Sequence, residues 1–383
     1  MMIRNIFTNA RISVLTPLFA ILLIVIGPNK VFAIGENYDE TGFRSNKTYI
    51  QYSPQEYINP FSGNLILSHT DVELPGNGGL DLKIQRTYNS KLFRNPEISE
   101  ISSIRKGSMG IGWTFHFGRI IKEPYNVNGF LLYLETPDGS FHHLYDNNHQ
   151  NINSHKASHY ITEDFWIVNY DETNDRYVMT LPDGTVYTFG RHVNYVGNVQ
   201  YYVTSVKDIN GNEVRVDYYD CCNMNKPEDP NSGTLDACPN TNFYGQTPHI
   251  KQVTDSVGRV ISFNMLTDVC RTNAVSLIDV NGKIYSYSYY TGNDGGSPGY
   301  LLKEVQPLVG PGWKYFYDFD GVHPEGELIS VTYPSGGVVE YQYGTFDLTL
   351  KHPQYETQTF KFRAITSRTS SGPDITPGTW TYF

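Results

Sequence analysis

Glycine recurs in this chain at a spacing that one kind of structure explains. Seven glycines anchor the pattern: Gly139, Gly184, Gly211, Gly258, Gly282, Gly310 and Gly336, separated by 45, 27, 47, 24, 28 and 26 residues. The two long gaps are close to twice the short ones. Five residues before each glycine stands an apolar side chain: Leu134, Met179, Val206, Val253, Leu277, Val305 and Val331. Three and five residues after six of them stand Tyr187/Phe189, Val214/Val216, Ile261/Phe263, Tyr285/Tyr287, Trp313/Tyr315 and Val339/Tyr341. At Gly139 the alternation is moved by one, to Phe141 and Tyr145. Polar residues fill the positions between, as Glu213, Arg215 and Asp217 do after Gly211. A period of two with one apolar face is a half-buried strand.

The turns are as legible as the strands. Asp208-Ile-Asn-Gly211, Asp255-Ser-Val-Gly258 and Asp279-Val-Asn-Gly282 put Asp first and Gly fourth, as a type I turn with a bulge prefers. Thr136-Pro-Asp-Gly139, Leu181-Pro-Asp-Gly184 and Tyr333-Pro-Ser-Gly336 preset the second position with proline. Each unit is therefore a hairpin. A lone hairpin is marginal in water, so hairpins recurring about every 25 residues must stack edge to edge to bury one continuous face. The expected fold is all-β: repeated antiparallel hairpins stacked into a curved, spiralling sheet. Neighbours would supply the stability, so contacts between residues far apart in sequence are expected to be few. No helix is expected after residue 34. The 30 Tyr and 34 Gly, with only 18% charged residues, agree with a strand-and-turn chain.

Residues 1–33 have the form of a secretory signal. Arg4 and Arg11 precede an apolar run, Ile12 to Ile26, which Gly27-Pro28 breaks. Val31-Phe32-Ala33 offers small residues for cleavage after Ala33. Fifteen residues is short for a membrane span, which needs about 20. The mature chain is therefore expected to have no span and to be secreted, or held at the cell surface or in the periplasm. The whole chain carries a net charge of −10 and no Lys/Arg cluster, which argues against nucleic acid as a partner. Export means oxidising conditions. Cys221, Cys222, Cys238 and Cys270 are then candidate disulfide cysteines with three pairings open to them, and they surround a polar loop at about 221–243. A vicinal bridge between Cys221 and Cys222 would be strained, and their adjacency lacks the spacing of a zinc site.

The chemistry that residue patterns could carry is thin. Gly295-Gly-Ser297-Pro-Gly299 spells a nucleophile elbow, but Pro298 has no N–H to give an oxyanion, and the surroundings are turn-rich. His142, His143, His149, His155 and His159 cluster, yet adjacent strand residues face opposite ways, and solvated loop histidines explain the rest. Glu135/Asp138 and Glu163/Asp164 border turns, where acids form turns more often than they catalyse. Gly107-Ser-Met-Gly-Ile-Gly112 has the wrong order for a dinucleotide loop and is better explained as a turn beside Trp113. Asn46-Lys-Thr48 spells a glycosylation site that matters only on a eukaryotic secretory route. No catalytic residue, cofactor or metal is therefore expected, and the chain is read as non-enzymatic. Tyrosine-rich strands could stack on sugar rings, which leaves an adhesin or glycan-binding module as the alternative. A hydrolase with an unidentified site is the third reading.

Two sets of residues resemble the Rhs, or YD-repeat, family. Tyr145-Asp146, Tyr219-Asp220 and Tyr317-Asp318 end strands after anchor glycines, and Val206–Asp220 looks like one such repeat. Upstream, Asn59-Pro-Phe-Ser-Gly-Asn-Leu65, Leu74-Pro-Gly-Asn-Gly-Gly-Leu80, Arg86-Thr-Tyr-Asn-Ser90 and Gly110-Ile-Gly-Trp113 resemble, in order, the domain that precedes the repeats in that family. The resemblance covers about residues 50–345 and divides the mature chain into residues 34–130 and a hairpin array, 131–383. It implies a segment of the β shell that such proteins and the related toxin-complex proteins wind around a toxic domain. The glycines of the preceding domain and Trp113 would shape the mouth of that shell. The self-cleaving motif Asp-Pro-x-Gly-Leu is absent from the sequence; Asp229-Pro230 is followed by Asn231-Ser232. By the proportions of that family the hairpins are too few to close a shell, so the expectation is either the front of an interrupted gene or assembly with a further YD-repeat chain or a toxin domain as partner. The expected role is a shell-wall or scaffold segment of a polymorphic-toxin or cell-envelope system.

Overall fold

The seven anchor glycines hold φ between +82° and +87°, the left-handed region that a side chain disfavours and glycine enters freely. Each one closes a connection between two paired antiparallel strands. The computed structural model describes residues 50–382, apart from 54, 61, 96–99, 102–105, 127–128, 147–151, 154–158, 196–197, 220–247, 267–273, 295–296, 319–325, 351–357 and 374. The signal segment, its cleavage site after Ala33, the glycosylation spelling at Asn46, His149, His155 and all four cysteines lie outside the described residues. Within them there is no α-helix, and one short 3-10 turn spans Asn77–Gly79. No helix among the described residues is long and apolar enough to cross a membrane.

One antiparallel sheet of twenty-one described strands runs from Arg119–Asn126 to Ile375–Thr381, with sequence neighbours lying side by side. Right-handed twist accumulates strand by strand and turns such a sheet back on itself. The strand Asn198–Lys207 shows how the return is made. One of its edges pairs with Val186–Tyr195. The other edge is shared. Val199–Tyr202 pair with Lys122–Arg119 of the first strand, and Ser205–Lys207 pair with Arg215–Glu213 of the next. The sheet is therefore a spiral and not a closed barrel.

The alternation read from sequence places Leu134, Met179, Val206, Val253, Val305 and Val331 in the core. Leu277 departs from it: Ile278 and Val280 are buried in its place. The cause is the turn. Asn281 and Gly282 both take positive φ, +54° and +82°, and Val280 pairs directly with Lys283. Asn-Gly suits such a two-residue loop, which removes the bulge and moves the register by one. The Gly211 turn keeps the longer form. There the Gly211 N–H donates to the Asp208 carbonyl at 3.2 Å, and the Asp208 carboxylate accepts from the N–H groups of Asn210 and Asn212 at 2.8 Å each.

A second regularity lies seven residues after the turn glycines. The register shifts immediately before Arg191, Tyr218, Met265, Tyr289, Tyr317 and Tyr343. The four tyrosines reach back across a bulge to a carbonyl of the hairpin's first strand. Tyr218 donates to Val203 O at 2.6 Å, Tyr289 to Val275 O at 2.6 Å, Tyr317 to Leu302 O at 2.7 Å and Tyr343 to Leu328 O at 3.0 Å. Val275, Leu302 and Leu328 each lie opposite the bulged position of the preceding pair. The bulge disrupts the ladder there, and the phenol takes up the carbonyl.

The inner face of the spiral is not left to its own side chains. A five-stranded sheet covers it, in the order Ile50–Ser53, Glu56–Ile58, Leu65–Leu74, Leu82–Asn89 and Trp113–Phe115. One hydrophobic core joins the two sheets, with Ile58, Leu67, Ile84, Tyr88 and Trp113 packed in the same cluster as Val305, Tyr315, Val331 and Tyr341. The expectation of few long-range contacts is thereby overturned. A sheet with one apolar face must bury that face against something, and here the cover comes from the N-terminal side of the chain.

Candidate functional site

A cluster of buried charge lies where the small sheet meets the spiral. Arg86, on Leu82–Asn89, has a side chain 0% exposed. A guanidinium removed from water requires an acid and further hydrogen-bond partners. Asp71 supplies the acid. The register shifts between Thr70 and Val72, so Asp71 is the extra residue of a bulge, which sets its direction. Arg86 Nη2 donates to Tyr315 Oη at 2.8 Å, and Tyr287 Oη donates to Asp71 Oδ2 at 2.8 Å. The rings of Trp313, Trp113 and Tyr315 lie 5.1, 5.8 and 5.9 Å from the guanidinium carbon. Burial pushes the Tyr287 and Tyr315 phenols up, with Arg86 opposing, so both remain protonated donors. Burial, helped by the Arg86 charge, pulls His69 well below the ordinary histidine range and keeps it neutral.

Three more buried pairs follow the same rule. Arg368 holds Glu56 in a fork at 2.7 and 2.8 Å, and Tyr341 Oη donates to Glu56 at 3.0 Å. Burial works against the charge on Arg368, yet the hydrogen bonds and field of Glu56 raise its pKa on balance. Arg363 binds Glu327 at 2.8 and 2.5 Å. Within the spiral, Arg119 binds Glu135 at 2.6 Å and donates to Gln200 and Tyr202 at 3.0 and 3.2 Å. Further hydrogen bonds, two of them from the Lys91 ammonium, complete the seam. Trp113 Nε1 donates to Tyr317 Oη at 2.8 Å, the Leu328 N–H to Tyr88 Oη at 3.0 Å, and Lys91 Nζ to the carbonyls of Ser62 and Arg363 at 2.7 and 2.5 Å. Each of these carboxylates is engaged by a guanidinium, and each phenol is spent as a donor or acceptor. Such an arrangement fastens two layers. It offers neither an activated nucleophile nor a pair of carboxyls whose acidities are pushed apart.

The four ordered sequence motifs build this seam. Leu65 N–H donates to Ser90 Oγ at 2.8 Å and Ser90 Oγ to Asn64 Oδ1 at 3.0 Å, which joins the first motif to the third. Gly63 lies so close to the spiral that an added Cβ would sit 2.4 Å from Ala364 Cβ. Gly110 is equally confined, with Tyr300 O 2.4 Å from such a Cβ. The glycines of 107–112 thus serve close packing around Trp113. The Leu74–Leu80 motif forms the connection between two strands of the small sheet, tied by the Gly76 N–H to Asp81 at 2.9 Å.

Other candidate residues fall elsewhere. Ser297 lies opposite Asp294 in a hairpin, in the strand Ser297–Gln306, and not on a strand-to-helix turn. His142 and His143 lie on one short strand and are both 3% exposed. Both faces of that short strand are covered: His142 stacks on Trp166 at 4.6 Å and faces Asp164 at 2.9 Å, and His143 packs on Tyr133 at 5.0 Å. Glu163 accepts from Tyr145 Oη at 3.0 Å, and Asp138 accepts from Thr136 Oγ1 at 2.6 Å and the Ser140 N–H at 3.0 Å. Among the described residues no group of three His, Cys, Asp or Glu side chains is placed to hold a metal ion. Sequence reasoning missed Glu56, Asp71, Glu327, Arg363 and Arg368. Their one signal was a charge set among apolar strand positions.

A family model described as a domain of unknown function, DUF6531, matches residues 55–141. No curated protein matches the chain. Among solved structures, the chain is similar to TcdB2-TccC3, at 13% identity over 81% of this chain and 18% of that one, with a TM-score of 0.35. The Tc holotoxin pore of Photorhabdus luminescens is similar at 12% identity over 81% and 17%, with a TM-score of 0.35. The N-terminal domain of the effector protein SpvB from Salmonella typhimurium strain LT2 is similar at 11% identity over 82% and 100%, with a TM-score of 0.27. The chain spans less than a fifth of the length of the two toxin-complex chains it matches.

Proposed function

We propose that this chain is an exported, non-enzymatic YD-repeat scaffold, a segment of shell wall in a polymorphic-toxin or cell-envelope system. The supporting observation is the seam. Its buried ion pair Glu56–Arg368 joins the small sheet to the inner face of the spiral, and Asp71–Arg86, within the small sheet, is bonded to Tyr287 and Tyr315 of the spiral. Buried charges bonded in this way favour a rigid wall. The motifs that resemble the domain preceding Rhs repeats meet on that seam, and the Tyr of two Tyr-Asp endings, Tyr219 and Tyr317, donates to a strand carbonyl at 2.8 and 2.7 Å. The expected partner is a further YD-repeat chain or a toxin domain. Affinity purification of the native chain from outside the cell, followed by mass spectrometry, tests this. A stoichiometric YD-repeat or toxin chain, with an N-terminus at Ile34, is the expected result. A chain recovered alone, or found only inside the cell, counts against it.

A further inference from the structure

We propose that Tyr170, Asp175, His192 and Tyr201 form a binding site for a ferric ion near the start of the spiral. Two hairpins supply the donors. Tyr170 and Asp175 belong to the hairpin of Ile167–Asp171 and Arg176–Thr180. His192 stands directly opposite Tyr201 in the hairpin of Val186–Tyr195 and Asn198–Lys207. Asp175 holds φ at +46°, a left-handed conformation that Asp enters more readily than most residues, and from there its carboxylate reaches back to Tyr170.

The donor atoms converge. Tyr170 Oη and Tyr201 Oη donate to the same oxygen, Asp175 Oδ1, at 2.7 and 3.0 Å, and the two phenols also interact with each other by a hydrogen bond. Three oxygens so placed form a triangle. A small hard cation held octahedrally at about 2.0 Å spaces neighbouring ligand oxygens by about 2.8 Å, so this triangle has the dimensions of one octahedral face. His192 Nδ1 lies 3.6 Å from Asp175 Oδ2 and is the fourth donor. The Asp175 side chain is 48% exposed and that of His192 27%, which leaves an ion a way in from solvent. Buried Tyr177 packs against the rings of Tyr170 and Tyr201 at 4.8 and 4.9 Å and backs the site from the core.

The donor set selects the ion. A single imidazole among oxygens is a poor match for zinc, whose sites draw on several His or Cys ligands. Tyrosine is a ligand of iron, and it coordinates as phenolate after losing its proton. Burial, reinforced by Asp175, pushes the Tyr170 phenol up to about 12 and raises Tyr201 as well, so a cation must displace both protons to solvent. Two phenolates and the Asp175 carboxylate then balance the charge of a ferric ion, with the imidazole neutral and water completing the shell. A divalent ion on the same ligands would leave surplus negative charge in a half-buried place, which is costly. Glu172 near Tyr170 and Lys122 near Asp175 are opposite in sign and alter this balance little.

A carboxylate accepting from two phenols is also complete without an ion, and a titration separates the two. The full chain, stripped of metal by a chelator, is titrated at neutral pH with ferric nitrilotriacetate, and the visible phenolate-to-iron charge-transfer band is followed. One ferric ion per chain should bind saturably, give that band and release about two protons. Gallium(III), of the same charge and similar size, should displace it; zinc and calcium should not. Losing even a supporting partner of a metal ligand costs about 10–100-fold, so Tyr170→Phe, Tyr201→Phe and Asp175→Asn should each weaken binding about a hundredfold or more, with the β spectrum retained. Tyr289→Phe, outside the cluster, should bind as the parent chain does. If Tyr201→Phe does not fold, Asp175→Asn carries the test, because Asn accepts the left-handed turn. No saturable band from the folded chain means a hydrogen-bonded carboxylate and nothing more, and overturns the proposal. So does a preference for zinc or calcium, or a band unchanged in the folded variants. The scaffold reading is decided separately, by the partner chain recovered.

Discussion

The hydroxyl of Tyr317 donates to the carbonyl of Leu302 at 2.7 Å while accepting the indole N–H of Trp113 at 2.8 Å. One phenol therefore closes a hairpin and holds the covering sheet. Tyr289 performs only the first task, on Val275 O at 2.6 Å. Replacing Tyr317 by Phe strands two buried groups, and replacing Tyr289 by Phe strands one. Tyr317→Phe should cost about 2–4 kcal/mol and Tyr289→Phe about 1–2 kcal/mol in urea denaturation. Equal losses would show that the Trp113 bond contributes nothing.

The fork between Arg368 and Glu56 links residues 312 apart in sequence. Breaking a buried pair from one side leaves an uncompensated charge, and Arg368→Met should cost about 3–5 kcal/mol. Removing both charges, with Glu56→Leu added, should recover much of that loss. A double-mutant cycle in urea measures the coupling. A double variant as unstable as the single one would mean that the pair's shape, and not its charge balance, matters.

Acid should loosen the fold at the histidines. Burial lowers the pKa of His69, assisted by Arg86. Burial also lowers His116 and His142, against the opposing pull of Glu135 and of Asp164. Each ring takes up a proton more readily when unfolded, so stability is full above the ordinary histidine value of about 6.5 and falls as pH drops below it. Urea midpoints measured between pH 8 and pH 5 should be level above that point and decline beneath it. His116→Gln should flatten part of the decline if it folds; a midpoint that rises on acidification would reverse the sign argued here.

Two turn glycines with the same conformation should respond differently to alanine. At Gly211, with φ +87°, an added Cβ meets nothing within 4 Å. At Gly139, with φ +83°, it meets Thr87 Cγ2 at 2.6 Å. Gly211→Ala should therefore cost the backbone term alone, about 1–2 kcal/mol. Gly139→Ala should add about 1–3 kcal/mol of overpacking and shift the first hairpin away from the small sheet. Thermal melting distinguishes the two.

The strand phases and the turns were legible because each depends on residues within about one hairpin of each other. Val253, Ile261 and Phe263 show the alternation plainly. Leu277 was misplaced because Asn281-Gly282 accommodates two kinds of turn, and only packing chooses between them. The seam was illegible for a different reason. Glu56 and Arg368 carry no local sign of each other, and the bulge that aims Asp71 depends on pairing with Gln85 and Ile84. The cluster about Asp175 was hidden in the same way, since His192 and Tyr201 reach it from another hairpin. The tyrosines at 218, 289, 317 and 343 gain their meaning only from the bulges they close.

The divided edge of Asn198–Lys207 settles how this architecture can grow. In a closed barrel, strand number and stagger are locked together, so adding a hairpin means rebuilding the ring. Here the first lap meets its own beginning along only half a strand, and the remaining half is free to seed the next. Length becomes an open variable: a lineage could insert or delete hairpins, one at a time, and alter the volume enclosed without redesigning the seam that starts the winding.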